Sequence, residues 1–159
     1  NLALLLQKGD DFTEAESMIR ESLAMRRRLF KGDHPSVALD LNNLSLLLRD
    51  KGDFAGSLSV GKDAVDMFTR TQGQDFWLTG YARMGRGRTL TTMKRFKEAE
   101  KELLEAERVM SAPKGVPAGR HKRCLEAVVQ LYEAWNKADP RGGHAASVAS
   151  WRAKLNAGS

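Results

Sequence analysis

Apolar and small residues recur along the chain at steps of three and four, the spacing that lines one face of an α-helix. Val37, Leu41, Leu44 and Leu48 form one such stripe, which ends at the turn signal Gly52-Asp53. Ala15, Ile19 and Ser22 form another, as do Ala99, Leu103, Ala106 and Met110. Stripes stand on both sides of short Gly/Asp turns, so the segments pair as helical hairpins whose small residues let the two helices approach closely. The prolines of His34-Pro35 and Val116-Pro117 stand where a helix begins, because a fixed φ suits the first turn and the missing N–H is not needed there. Both are read as unit boundaries. No alternating β-branched run or paired hairpin signal argues for strands, so the predicted class is all-α.

The hairpins are copies of one unit. Phe12, Phe54 and Phe96 follow one another at intervals of 42 residues, and each is expected to begin the second helix of its hairpin. Asn1-Leu2-Ala3-Leu4-Leu5-Leu6 returns as Asn43-Leu44-Ser45-Leu46-Leu47-Leu48, and Asp11-Phe12 returns as Asp53-Phe54. Phe12-Thr13-Glu14-Ala15-Glu16 recurs as Phe96-Lys97-Glu98-Ala99-Glu100, and the middle copy, Phe54-Ala55-Gly56-Ser57-Leu58, keeps a small residue where the others have alanine.

Asn-Leu-Ala-x-Leu-Leu, Gly-Asp-Phe, Glu-Ala-Glu and Gly-Asp-His-Pro together resemble the kinesin-light-chain type of tetratricopeptide repeat. They are carried here by residues 43–48, Gly52-Asp53-Phe54, residues 12–16 and Gly32-Asp33-His34-Pro35, and they cover residues 1 to about 110. The usual repeat of this kind has about 34 residues, and armadillo and HEAT repeats run to roughly 40–47, so the period alone does not choose among them. The Gly-Asp-Phe turn favours the tetratricopeptide kind. The resemblance implies a right-handed α-α superhelical solenoid. Three repeats are expected at about residues 1–34, 35–75 and 76–115, the first of them truncated, and an atypical hairpin at 116–159.

Beyond residue 118 the pattern weakens, but Leu125, Val128, Tyr132 and Trp135 keep helical spacing, and Val148, Trp151 and Leu155 do so again after Asp139-Pro140-Arg141-Gly142-Gly143. A solenoid needs an unusual last unit because its final apolar face has no neighbour, and Trp135 and Trp151 suit that closing role. The arrangement also resembles the carboxyl end of large bacterial repeat proteins, some with a serine/threonine kinase domain upstream. The third unit departs from its template. Arg86 stands where Leu2 and Leu44 stand, and Gly85 and Gly87 lie inside the helix of residues 77–93, each costing roughly 1 kcal/mol relative to alanine. Three outcomes are open: a kink or hinge, an unusually close approach to a neighbour, or ordinary packing by Tyr81, Met84, Leu90 and Met93.

In tetratricopeptide families the first helices of successive units line a concave groove. Transferred to matching positions, that role falls on Asn1, Leu4 and Lys8; on Leu39, Asn43, Leu46 and Asp50; on Tyr81, Gly85, Arg88 and Thr92; and on Arg123, Ala127, Gln130 and Ala134. Asn43, Leu46, Tyr81, Arg88, Arg123 and Gln130 are the candidate partner-binding residues. An asparagine amide both donates to and accepts from a peptide main chain, and arginines fork onto carboxylates. Asn43 either does this or bonds a neighbouring helix. Gly85 and Ala127 interrupt the pattern of the carboxylate-clamp subclass, which counts against a C-terminal carboxylate as the ligand. The expected function is a scaffold or adaptor that binds a protein or peptide; the alternative is the regulatory repeat region of a multidomain signalling enzyme such as a bacterial serine/threonine kinase.

Composition and charge narrow the alternatives. With 159 residues, 42% of them hydrophobic, the chain can bury a core as one short array. Cys124 is the lone cysteine, which excludes an internal disulfide and fits a reducing, cytoplasmic setting. No run reaches the roughly 18 apolar residues of a membrane span. Asn1 leads directly into an apolar run, so a longer protein with residues upstream is expected. The net charge of +6 raises nucleic acid as a partner, through Arg26-Arg27-Arg28, the arginines at 83, 86 and 88, and Arg120-His121-Lys122-Arg123. Aromatic residues are not interleaved with these runs as a stacking platform requires. Glu98, Glu100, Glu102, Glu105 and Glu107 beside Lys97, Lys101 and Arg108 read as a solvated face with i to i+4 pairs, and Arg26 to Arg28 as surface. No phosphate-binding Gly-Lys-Ser/Thr loop, nucleophile elbow or His-Glu-x-x-His occurs, and Gly61-Lys62-Asp63 fails the first of these. His121 and Cys124, three apart, form at most half a metal site. No catalytic residue, cofactor or metal is expected, and Asn43-Leu44-Ser45 is read as a chance glycosylation sequon.

Overall fold

The computed structural model describes residues 12–111 and 115–157, and these form seven helices and no strand. In chain order the helices are α1 (Phe12–Leu29), α2 (Pro35–Lys51), α3 (Phe54–Gln72), α4 (Trp77–Thr92), α5 (Phe96–Met110), α6 (Arg120–Ala138) and α7 (His144–Ala157). Phe12, Phe54 and Phe96 each open a helix, as the repeat predicts, and all three are half-buried. The pairs α2/α3, α4/α5 and α6/α7 are hairpins. The first helices touch one another, α2 against α4 and α4 against α6, whereas consecutive second helices make no comparable contact. The array therefore has α2, α4 and α6 on its inner side.

Local chemistry explains the boundaries. His34 caps α2: its Nδ1 accepts from the Ser36 N–H at 3.1 Å, its ring stacks on Phe30 at 3.5 Å, and Pro35 follows as the first helical residue. At the α2/α3 turn, Gly52 adopts a left-handed φ of 91° and Asp53 accepts from the Gly56 N–H at 2.9 Å. Lys94 and Arg95 occupy the equivalent positions before Phe96. Lys94 takes φ 59° without being glycine, and Arg95 makes no side-chain cap. Left-handed backbone costs a non-glycine residue roughly 1–2 kcal/mol, partly offset by glycine's freedom in the unfolded chain. Lys94→Gly should therefore raise stability by about 0.5–1 kcal/mol, measured by urea unfolding; a loss would show that the turn is not strained. The second proline signal fails. Pro117 lies in a turn closed by the Arg120 N–H on its carbonyl at 3.1 Å, and α6 begins only after Gly119, at φ 77°.

The predicted stripes are the core. Val37, Leu41, Leu44 and Leu48 pack with Phe68 in one cluster, and Ala99, Leu103, Ala106 and Met110 with Val128 and Leu131 in a second. Trp135 stacks between Phe96 and His144, at 5.6 and 4.1 Å, and Trp151 packs on the second cluster, so α6 and α7 close that end. Lys154 ties α7 to α5 through Glu107 at 2.6 Å.

α4 is continuous through both glycines, which serve close approach: an added Cβ would lie 3.1 Å from Leu46 Cδ2 at Gly85 and 2.5 Å from Leu103 Cγ at Gly87. Met84 and Leu90 are buried as expected, but Met93 is 37% exposed. Arg86 is accommodated because Glu102 on α5 takes Arg86 at 2.7 Å and Arg83 at 3.1 Å. The reading of the α5 glutamates as one solvated face is corrected accordingly. Glu102 and Glu107 are 9% and 8% exposed and join helices, and Glu100 accepts from the Tyr132 hydroxyl at 2.6 Å. Arg26 is half-buried rather than wholly on the surface: it donates to the Ser36 carbonyl at 2.8 Å and pairs with buried Asp40, while Arg27 and Arg28 are exposed.

Candidate functional site

Between α4 and α6 three adjoining cavities make one trough. A small one of about 120 Å³ is lined by Arg49, Arg88, Thr91, Thr92, Ala127 and Gln130. A second of about 210 Å³ shares Arg88, Ala127 and Gln130 and adds Arg123 and Glu126. A third of about 580 Å³ shares Thr91, Thr92 and Gln130 and extends over Phe96, Ala134 and Ala138 between Lys94 and Lys137. Gln130 belongs to all three.

Helix geometry puts these residues together. Arg123, Ala127, Gln130 and Ala134 lie four, three and four apart on α6 and so share a face, which Lys137 continues. On α4, Arg88 follows Arg86 by two residues, about 200° around the helix. Arg83 and Arg86 turn to Glu102, whereas Arg88 turns to the trough and its guanidinium forms no hydrogen bond or ion pair among the described residues. Small Ala127 and the threonines, whose hydroxyls donate to the carbonyls of Gly87 and Arg88, leave the space open.

The trough is basic. Arg88 is exposed overall, yet the protein around its guanidinium pulls its pKa below the ordinary arginine value, and the cation of Arg49 adds to this; Asp50, Tyr81 and Glu126 oppose it. Arg49 gives its Nε and Nη2 to one oxygen of Asp50, at 2.8 and 2.6 Å, and its Nη1 is buried without a hydrogen-bond partner among the described residues.

Of the expected groove residues, Arg88, Arg123 and Gln130 are brought together, with Thr92, Ala127 and Ala134 beside them. Asn43, Leu46 and Tyr81 do not line these cavities. Asn43 is exposed on α2 and makes no side-chain bond to a neighbouring helix among the described residues; the asparagine that turns inward is Asn42, 2% exposed. Leu46 is half-buried at the seam where it meets Gly85. Tyr81 has one ring face covered by the Arg120 guanidinium at 4.4 Å. Asn1, Leu4 and Lys8 lie outside the described residues. The sequence reading missed Arg49, Thr91, Lys94, Phe96 and Lys137. Lys137 was findable by extending the α6 stripe three positions, but Arg49 and Phe96 enter from other helices.

Other chemistry finds little footing. Cys124 is fully buried, and that burial, ahead of the nearby Glu107 charge, pushes its thiol up to about 12. His121 faces Glu107 at 3.3 Å, and no group of three potential metal ligands occurs among the described residues. A thiolate is the reactive form, so 5,5′-dithiobis(2-nitrobenzoate) at pH 8 should label Cys124 only as fast as the array opens. Rapid labelling of the native protein would contradict this. No helix among the described residues is long and apolar enough to cross a membrane.

The architecture is that of an α-α solenoid of tetratricopeptide-like hairpins. Residues 1–70 match the family model described as Tetratricopeptide repeat, and solved structures that share the fold include ones of the kinesin-light-chain-like kind. One is a protein from Podosopora anserina described as a kinesin light chain with nearly identical TPR-like repeats: TM-score 0.76, 14% identity, 96% of this chain and 72% of that one covered. Another is BtubC (BKLC) from P. vanneervenii: TM-score 0.68, 18% identity, 98% and 68% covered. No curated protein matches the chain in sequence. Tetratricopeptide repeats generally mediate protein–protein interaction.

Proposed function

We propose that the chain is a scaffold or adaptor module whose inner trough holds an extended or helical peptide of acidic character. The observation that carries this reading is the convergence of Arg88, Arg123 and Gln130 from two repeats on one trough. Its lining also includes Arg49, Lys94 and Lys137 and one carboxylate, that of Glu126. The guanidinium groups suit side-chain carboxylates, and the Gln130 amide suits a peptide main chain. Asn43 and Leu46 would continue the contact along α2, and Tyr81 would meet the ligand by its edge.

A charge-assisted contact is worth roughly 1.5–3 kcal/mol, so removing one should weaken binding about tenfold or more. Peptides selected on the chain from a random displayed library should be rich in Asp and Glu. Arg88→Ala and Arg123→Ala should each weaken them about tenfold, and exposed Arg27→Ala should not. Selection of neutral peptides, or loss of binding with Arg27→Ala while both groove variants bind normally, would place the site elsewhere.

A further inference from the structure

We propose that the small cavity between Arg49, Arg88 and Gln130 is an oxyanion subsite that takes the phosphoryl group of a phosphorylated side chain in the bound peptide. This rests on the groove reading above and assigns the chemistry of one anchor within it.

Three observations point there. The Arg88 guanidinium has no hydrogen-bond or ion-pair partner among the described residues, in contrast to those of Arg83 and Arg86 on the same helix. Arg49 lines the cavity with its orientation fixed by Asp50, and its Nη1 is buried without an acceptor among the described residues. The two cations lie close enough that Arg49 disfavours the charged form of Arg88. Arrangements of this kind favour an anion between them. Asp50 offsets part of the Arg49 charge and Glu126 lines the neighbouring cavity, while Arg123 stands beside Glu126.

The size and the donor count decide which anion. About 120 Å³ is room for a compact group such as a phosphoryl. A carboxylate brings one charge and a planar pair of oxygens that one guanidinium fork already satisfies. A phosphoryl group brings close to two charges at pH 7 and three terminal oxygens, enough to engage Arg88 and the Gln130 amide while drawing on Arg49.

The test uses the 159-residue chain and three probes. Two are peptides of one neutral Ala/Gly sequence carrying a single phosphoserine or a single aspartate; the third is inorganic phosphate. Calorimetry should show the phosphoserine peptide binding at least tenfold more tightly than either of the others. The side-chain Nε–H resonances of Arg49 and Arg88 should shift on titration. The affinity should rise between pH 5 and 7 as the phosphate loses its second proton near about 6. Arg88→Gln should cost at least tenfold with its unfolding curve unchanged, since Arg88 has no ion pair to lose, and Arg27→Gln should cost nothing. Equal affinity for the aspartate peptide, or no loss with Arg88→Gln, overturns the subsite, and equal affinity for inorganic phosphate removes the peptide from it. If the library-selected peptides still weaken with Arg88→Ala and Arg123→Ala, the groove stands without the subsite. If those variants bind them normally, the groove reading falls as well.

Discussion

Phe68→Ala is expected to lower the unfolding free energy by about 3–5 kcal/mol, the range for emptying a large aromatic site in a core. Phe68 is 0% exposed and heads the fully buried side chains by volume, in the cluster with Leu23, Val37, Leu41 and Ala64. That cluster draws on four consecutive helices, because Leu23 lies on α1 and Ala82 on α4. A cavity there loosens the second hairpin together with both of its neighbours. Met110 is the equivalent residue one period later and is also buried, so Phe68→Met should cost no more than about 1–2 kcal/mol. Urea unfolding gives the totals, and amide exchange locates them, because a repeat array loses stability unit by unit. Protection should fall in α2 and α3 more than in α6. A loss below about 1 kcal/mol for Phe68→Ala would mean that this cluster does not support the array.

Glu102→Ala should cost about 3 kcal/mol, since it strands two arginines whose side chains are only 24% and 20% exposed. The residues one period earlier are Leu41, Leu44 and Val60, so the third hairpin holds a charged trio where the second holds an apolar one. The ion pairs leave Nε of both Arg83 and Arg86 buried without partners among the described residues. Replacing a buried charged trio by apolar residues of suitable volume is often neutral or stabilising by roughly 1–4 kcal/mol. The combined variant Arg83→Leu, Arg86→Leu and Glu102→Val should therefore match or exceed the parent in the same unfolding assay. If the combined variant falls as far as Glu102→Ala, the trio contributes net stability and this account of it is wrong.

The repeat was legible because its signals are strictly local. A phenylalanine after Gly-Asp, small residues at helical steps and a proline behind a histidine cap each work within one or two turns, and the helices begin where those residues stand. The turn at Lys94 was hidden because nothing in a lysine announces a positive φ; the repeat register alone aligns it with Gly52. The α5 glutamates misled for a related reason. An alternation of Glu and Lys reads the same whether the partner is four residues away or on another helix, and Glu102 finds Arg83 and Arg86 across the hairpin. Arg88 and Arg123 were read as groove residues from their step along α4 and α6, which a helix preserves. Arg49 joins them from the last turn of α2, one position beside a stripe that faces the core, so only the stacking of successive units reveals it. Asn43 and Asn42 show how narrow the margin is: adjacent asparagines lie about 100° apart on a helix, and the one in the copied motif is the exposed one.

A chain assembled from near copies of one unit faces a sorting problem during folding, because each helix meets several partners of almost the same shape. α2 and α4 are of similar length, 17 and 16 residues, and α3 and α5 both begin at a phenylalanine. The charged trio distinguishes them. If α4 closed its hairpin against α3, Arg83 and Arg86 would meet Val60 where Glu102 should be, with two cations buried and no anion to receive them; if α2 closed against α5, Glu102 would sit between leucines. Either exchange is penalised on both sides. The departure of the third unit from its template therefore acts as an address label, telling otherwise interchangeable segments which neighbour is theirs.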